Sequence, residues 1–300
     1  MTSEFREVSP ALILAQVSAA IPIETRSNII IIGSLAAAYW LFGGDRSLGV
    51  RTKDIDCVLS PRLTAVERGR VIAEKLLASG WKPKSMGRFS RPGNSKTPES
   101  ELPAVRLFPP GSNDWFLELL TEPMKDQAKL GWTRMPLSTG EHYGIPSLAF
   151  ISIAIFNAPM TEFGIRCARP EMMALANLLE HPIIGKELIE GTATKRSNKD
   201  LGRVLAIAQL TKPVEVLETW PEIWEKALKE YFPKRWRELA SRTGAGLRAL
   251  LASPEDLQQA VESCAISLLS GRNIDAEQLI TIGQRLLVFA IDQLEIRAMQ

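Results

Sequence analysis

The stretch that most constrains this chain is 28–60. Ile29, Ile30, Ile31 and Ile32 are four β-branched residues in a row, too short a run for a buried helix and well suited to a central strand. Gly33-Ser34 ends the run. A helix-forming segment, 35–42, follows at once, and Gly43-Gly44 supplies the left-handed residue that stops it. A small-residue turn at a helix N-terminus presents unpaired backbone N–H groups and the positive end of the helix dipole, which together favour a phosphate. After an Arg/Gly-rich turn comes Arg51-Thr-Lys-Asp-Ile-Asp-Cys-Val-Leu-Ser60. Read as a strand over 53–59, its alternation puts Asp54 and Asp56 on one face and sends Ile55 to the core.

Two carboxylates on one strand face repel each other, and a divalent cation relieves that. Hard cations such as magnesium take oxygen ligands and keep phosphate oxygens in their shell. The pair of motifs therefore reads as triphosphate on Gly33 and Ser34 and metal on Asp54 and Asp56. Acid-x-acid alone carries little weight: with 34 acidic residues in 300, about four such triplets arise by chance. The order strand, Gly-Ser, helix, Arg-x-x-Asp-x-Asp, strand is far more restrictive.

The rest of the first half fits around this unit. Helical spacing over 8–20 predicts an N-terminal helix, and Thr64-Ala-Val-Glu67 reads as a capping box for a helix closed by Ser79-Gly80. Residues 81–89 begin another strand. The Pro/Ser/Gly-rich segment 90–103 is expected to be a mobile loop, whose Arg88, Arg91 and Lys96 either close over a triphosphate or make no contacts. Residues 104–108 and 115–121, joined by Pro109-Pro-Gly-Ser-Asn-Asp114, read as a hairpin. Glu118 lies in an otherwise apolar strand, where a carboxylate is costly to bury without a solvated site or a cation. Segment 124–147 reads as irregular loops and short strands.

From Arg169-Pro-Glu171 onward the pattern is helical, with Pro170 at a first helical position and a broad apolar face from Met172 to Leu179. Ser253-Pro-Glu-Asp256 and Ile274-Asp-Ala-Glu277 open two later helices. Lys234-Arg-Trp-Arg237, with Arg242 and Arg248, mixes cations and an aromatic ring as a nucleic-acid surface does, although charge runs on helices are usually solvated faces.

The 29–59 pattern resembles the DNA-polymerase-β-like nucleotidyltransferase superfamily, whose members place an apolar strand, Gly-Gly or Gly-Ser and a helix before an acid-x-acid strand. The form Arg51-Thr52-Lys53-Asp54-Ile55-Asp56 is most similar to the branch of abortive-infection and tRNA-modifying toxins. The resemblance implies an α+β fold: a mixed-sheet nucleotidyltransferase core flanked by helices over 1–146, then a mainly helical domain over 147–300. The segment Glu162-Phe-Gly-Ile-Arg-Cys-Ala168 resembles the short strand that precedes the helical half in this branch.

The resemblance further implies metal-dependent transfer of a nucleotidyl group from an NTP to an acceptor hydroxyl, with Mg2+ or Mn2+ on Asp54, Asp56 and a third acid. Glu118 is the candidate for that acid, and Asp114 and Glu122 are its competitors nearer the turns. The nucleotide-binding set it implies is Gly33, Ser34, Arg51, Thr52, Lys195, Lys199 and Asp200. Lys199-Asp200-Leu201 matches the basic pair that opens a helix in the branch. The chain departs from the pattern at Asn177, where a lysine is expected. The acceptor implied is RNA, tRNA included, a protein or a small molecule, and the branch implies an antitoxin-like protein partner.

Net charge is +2, so nothing global demands nucleic acid or membrane. There is no run of eighteen apolar residues and no secretory pattern at the start. Cys57, Cys167 and Cys264 lack zinc spacing, which points to a reducing cytoplasm. With only His142 and His181, histidine-based catalysis is disfavoured, and His181 fits a helix C-terminus. Two other classes stay open: a catalytically silent nucleotide-binding relative, and an interaction module binding RNA or protein through its helical half.

Overall fold

A computed structural model describes residues 7–43, 45, 48–84, 91–124, 131–189 and 191–300. The expected helix stop at Gly44, the loop cation Arg88, the strand end at Phe89, Ser90, and 125–130 of the expected irregular segment lie outside the described residues. The chain divides into two units, one of 1–36 with 44–168 and one of 37–43 with 169–300.

The first unit follows the expected order. Helix α1 (Pro10–Ala20) precedes β1 (Ile29–Ile31), and α2 (Gly33–Leu41), whose residues from Ala37 on belong to the second unit, leads on to β2 (Asp54–Leu59). Then come α3 (Arg62–Ala78), β3 (Lys82–Pro83), β4 (Arg106–Phe108), β5 (Phe116–Thr121), β6 (Gly131–Pro136), β7 (His142–Ser147), α4 (Ile151–Ala154) and β8 (Arg166–Cys167). Six strands form one sheet in the order β3-β4-β5-β2-β1-β8, and β6 and β7 pair separately. The sheet is mixed: β2 runs parallel to β5 and β1 parallel to β8, while the other neighbours are antiparallel. Ile29 to Ile31, Ile55, Cys57, Leu59, Leu117 and Leu119 are buried, with Leu14 and Val17 of α1 and Ile72 and Leu76 of α3. Each such aliphatic side chain contributes about 1.5–3 kcal/mol.

Three readings change. Helix α3 begins at Arg62 with Pro61 before it, so Thr64 is inside the helix, and its hydroxyl donates to Pro61 O (3.2 Å) instead of capping. Where irregular loops and short strands were expected, 131–136 and 142–147 are strands that pair regularly in a six-pair antiparallel ribbon. The loop after position 90 is held down over its described part: Gly93 bridges His142, Arg134 donates to Asn94 O (2.9 Å) and to Thr97 O, and Glu99–Glu101 forms a 3-10 turn. The short strand expected within 162–168 is β8, and its pairing with β1 places it in the first unit.

The second unit is helical. It contains α5 (Pro170–Ile184), α6 (Arg196–Leu210), α7 (Pro213–Glu218), α8 (Trp220–Tyr231), α9 (Trp236–Ser241), α10 (Ala245–Leu251) and α11 (Pro254–Ala265). Then α12 (Ala276–Leu286) runs through a π-helical turn (Leu287–Ile291) into α13 (Asp292–Met299). Pro170 opens α5, Ser253 caps α11 through Asp256 N–H, and Asp275 with Gln278 forms a full capping box on α12. The architecture is α+β with a mixed sheet followed by helices, as expected. No helix among the described residues is long and apolar enough to cross a membrane.

Candidate active site on the sheet face

Strand β1 ends against the middle of β2, where Ile32 N–H donates to Asp56 O at 3.0 Å. The chain then turns at Gly33 with φ 80°, a left-handed conformation that glycine adopts without strain. A Cβ on Gly33 would stand 3.0 Å from Asp56 Oδ2, so the bend lies directly against that carboxylate. Ser34, next in α2, is buried. The small residues thus serve two ends: the backbone reversal, and room for Asp56 beside a helix N-terminus.

In β2, Asp54 and Asp56 are half-buried while Ile55 and Cys57 are buried, the alternation expected of this strand. Thr52 Oγ1 lies 3.1 Å from both Asp54 O and Asp54 Oδ1, which fixes the carboxylate at the strand's start. Arg51 pairs with Glu7 at 3.5 Å, both side chains well exposed.

Asp56 stands opposite Glu118 across the parallel β2-β5 pair, and Asp54 opposite Phe116. Directly opposed residues on neighbouring strands share a face, so Asp54, Asp56 and Glu118 all belong to one face of the sheet. The next strand puts Arg106 opposite Glu118. Its guanidinium grips the carboxylate with both arms, Nε to Oε2 at 2.9 Å and Nη2 to Oε1 at 3.0 Å. Beyond it, Lys84 N–H donates to Arg106 O at 2.8 Å, and Lys84 Nζ lies 3.9 Å over the Phe116 ring. One transverse row therefore reads Lys84, Arg106, Glu118, Asp56, ending at the Gly33 bend. The cation demanded by a carboxylate in an apolar strand is Arg106.

The electrostatics follow the row. Burial pushes the Glu118 carboxyl up and Asp54 adds to this, while the Arg106 charge and hydrogen bonds, with Lys84, oppose it. Burial works against the Arg106 charge, but Glu118, Asp54 and Asp56 outweigh it and raise that group. Lys84 is lowered, by burial first and by Arg106 next.

Among the described residues no three His, Cys, Asp or Glu side chains stand close enough to hold a metal ion by themselves. Asp54 and Asp56 supply two hard oxygen donors, and that donor chemistry fits Mg2+ or Mn2+ completing its shell with phosphate oxygens. Glu118, the third expected ligand, is engaged by Arg106. Asp114 hydrogen-bonds Ser112 in the β4-β5 turn, and Glu122 offers its backbone carbonyl to Arg62.

The other expected nucleotide contacts, Lys195, Lys199 and Asp200, belong to the second unit. Lys195 Nζ donates to Asp256 at 2.6 Å, and Asn198 joins the same carboxylate at 2.9 Å. Lys199 is exposed, and Asp200 pairs with Arg203 at 3.5 Å. Asn177 sits in α5 with a buried Nδ2 that has no hydrogen-bond partner among the described residues. In the mixed basic and aromatic cluster of 234–248, Lys234, Arg235, Arg237 and Arg248 are exposed. Trp236 is buried, Arg235 and Arg242 bind Glu238, and Arg248 binds Asp292 and Glu295. His181 lies in the last turn of α5 and is lowered by burial.

Sequence reasoning missed Arg106 and Lys84. The signal was partial: pairing the two hairpin strands outward from the turn at 109–114 sets 106 opposite 117, one residue short of the observed register, which puts 106 opposite 118.

No family model and no curated protein matches the chain. An antigenic nucleotidyltransferase-like protein from Paracoccidioides brasiliensis is similar in structure at 14% identity, over 86% of this chain and 95% of that one, with a TM-score of 0.33. The CD-NTase CdnG of Bradyrhizobium diazoefficiens, solved in complex with GTP, is 12% identical over 98% of this chain and 88% of that one, with a TM-score of 0.29. Both are nucleotidyltransferase-like proteins; scores this low assign no residue and no activity to this chain.

Proposed function

We propose that this chain is an NTP-dependent nucleotidyltransferase that moves a nucleotidyl group to the hydroxyl of an acceptor: RNA, tRNA included, a protein or a small molecule. The observation that carries this reading is the Gly33 bend seated on Asp56, with Glu118 in register beside it. Gly33 and Ser34 present backbone N–H groups, and the Ser34 hydroxyl, to the β- and γ-phosphates at the start of α2. Asp54, oriented by Thr52, and Asp56 would hold Mg2+ or Mn2+. That cation, when bound, neutralises charge on the phosphates and on the departing pyrophosphate. Glu118 takes the proton of the acceptor hydroxyl once its carboxylate is released from Arg106. The acceptor oxygen then bonds to the α-phosphorus as the α–β bridging bond breaks, with no covalent enzyme intermediate.

The test is incubation with each labelled NTP and magnesium against pools of RNA, protein and small hydroxyl compounds, followed by the same assay on Asp56→Asn. Label is expected in one pool and lost in the variant while its circular dichroism stays that of the wild type. Undiminished labelling by the variant would refute the reading.

A second reading, nucleotide binding without transfer, draws on Asn177 in place of the expected lysine and on the closed Arg106–Glu118 pair. Metal-dependent NTP binding with no pyrophosphate release from any pool would favour it.

A further inference from the structure

We infer that Arg106 is a positioning residue that limits how the acidic face takes up a divalent cation: it holds Glu118 away from Asp54 and Asp56, so cation binding competes with the Arg106–Glu118 pair. This rests on the reading of Asp54 and Asp56 as a metal site. Three observations carry it. Glu118 is in register beside Asp56, yet both of its oxygens point to the guanidinium at 2.9 and 3.0 Å. The two partners differ in freedom, since the Glu118 side chain is 9% exposed in the middle of a central strand and the Arg106 side chain is 43% exposed. Arg106 is therefore the partner that moves, because its long stem can swing its head into water while its backbone stays in β4. Lastly, no group of three acidic ligands is formed among the described residues although three carboxylates share the face. The fork accounts for that by satisfying Glu118 locally.

The planar two-armed grip matters beyond its charge. A lysine at 106 would keep a positive charge near Glu118 but bind as a point, so it would release the carboxylate more readily. The cost of the latch is reduced cation affinity at rest. Its consequence is that Glu118 becomes a ligand or proton acceptor only when something else on the face outcompetes Arg106.

Mn2+ binding, read by electron paramagnetic resonance without any nucleotide, tests this independently of turnover. Arg106→Gln is expected to bind Mn2+ at least tenfold more tightly than wild type, with Arg106→Lys between them. In a Glu118→Gln background the Arg106→Gln change is expected to leave Mn2+ affinity unaltered, because there is no carboxylate left to hold. Equal or weaker binding by Arg106→Gln would overturn the proposal. So would a shift that persists in the Glu118→Gln background, which would mean general charge repulsion only. Should Arg106→Gln fail to fold, Arg106→Lys decides: tighter binding supports the latch and unchanged binding overturns it. Mn2+ binding that survives Asp54→Asn with Asp56→Asn would instead remove the metal-site reading, an outcome distinct from failure of the latch.

Discussion

Gly33 is fitted to Asp56: an added methyl group would press on the carboxylate oxygen at 3.0 Å, and the backbone there already stands at φ 80°. Gly33→Ala therefore carries two penalties. The left-handed conformation costs an alanine about 1–2 kcal/mol, and the methyl pushes Asp56 from its place. Urea denaturation should show that loss, and NTP affinity, measured by titration, should fall at least tenfold. Wild-type NTP binding by the alanine variant would separate the bend from the phosphates.

Arg106→Ala should cost more than the surface exposure of its side chain suggests, because the partner left behind is buried in β5. An uncompensated buried carboxylate costs on the order of 3 kcal/mol. Adding Glu118→Gln to Arg106→Ala removes the orphaned charge, so the double variant should recover more than half of the loss. Equilibrium unfolding of the three variants gives the comparison. Additive losses would show that the two residues are not coupled.

Strand β1, the bend, α2 and β2 were legible because each is specified locally: four β-branched residues, a Gly-Ser turn before a helix-forming run, and polar-apolar alternation. The same holds for the helix starts at Pro170, Ser253 and Asp275. The β6-β7 ribbon was legible only as short strands among loops, since Gly131, Pro136, Gly144 and Pro146 all argue against a regular ladder. In that ladder Trp132 packs over Gly144, where an added Cβ would stand 2.6 Å from the ring. Thr64 misled for the opposite reason: a capping pattern occurs one turn inside a helix that Pro61 precedes. At the site, types and spacing give Asp54 and Asp56. That Glu118 lies beside Asp56 depends on the register between β2 and β5, far apart in the chain, which no local pattern encodes.

Trp224 ties two helices of the second unit together. Its ring is fully buried in α8, and Nε1 donates to Glu171 O at 2.8 Å at the start of α5. Trp224→Phe keeps most of the volume and deletes the donor. A loss of about 1–3 kcal/mol is expected from the orphaned carbonyl and the residual void. Thermal unfolding followed by far-ultraviolet circular dichroism measures it, and no change would mean that Glu171 O finds another partner.

The Lys195–Asp256 pair gives the second unit a pH signature of known sign. Hydrogen bonding from Lys195, helped by Asn198 and Ser253, holds the Asp256 carboxyl below its ordinary value of 3.8. A carboxyl depressed in the folded state binds its proton more weakly there than in the unfolded chain. Its contribution is therefore fully present above 3.8 and is lost as pH falls through the depressed folded value. Asp256→Asn keeps the size of the side chain and an acceptor oxygen but cannot titrate. The wild type should be the more stable of the two between about pH 5 and 7, and the gap should close below pH 3.8 as both approach the same protonated chemistry. Denaturation midpoints of the two proteins across that range provide the measurement. A gap that stayed constant with pH would show that packing, and not the charge on Asp256, holds α6 to α11.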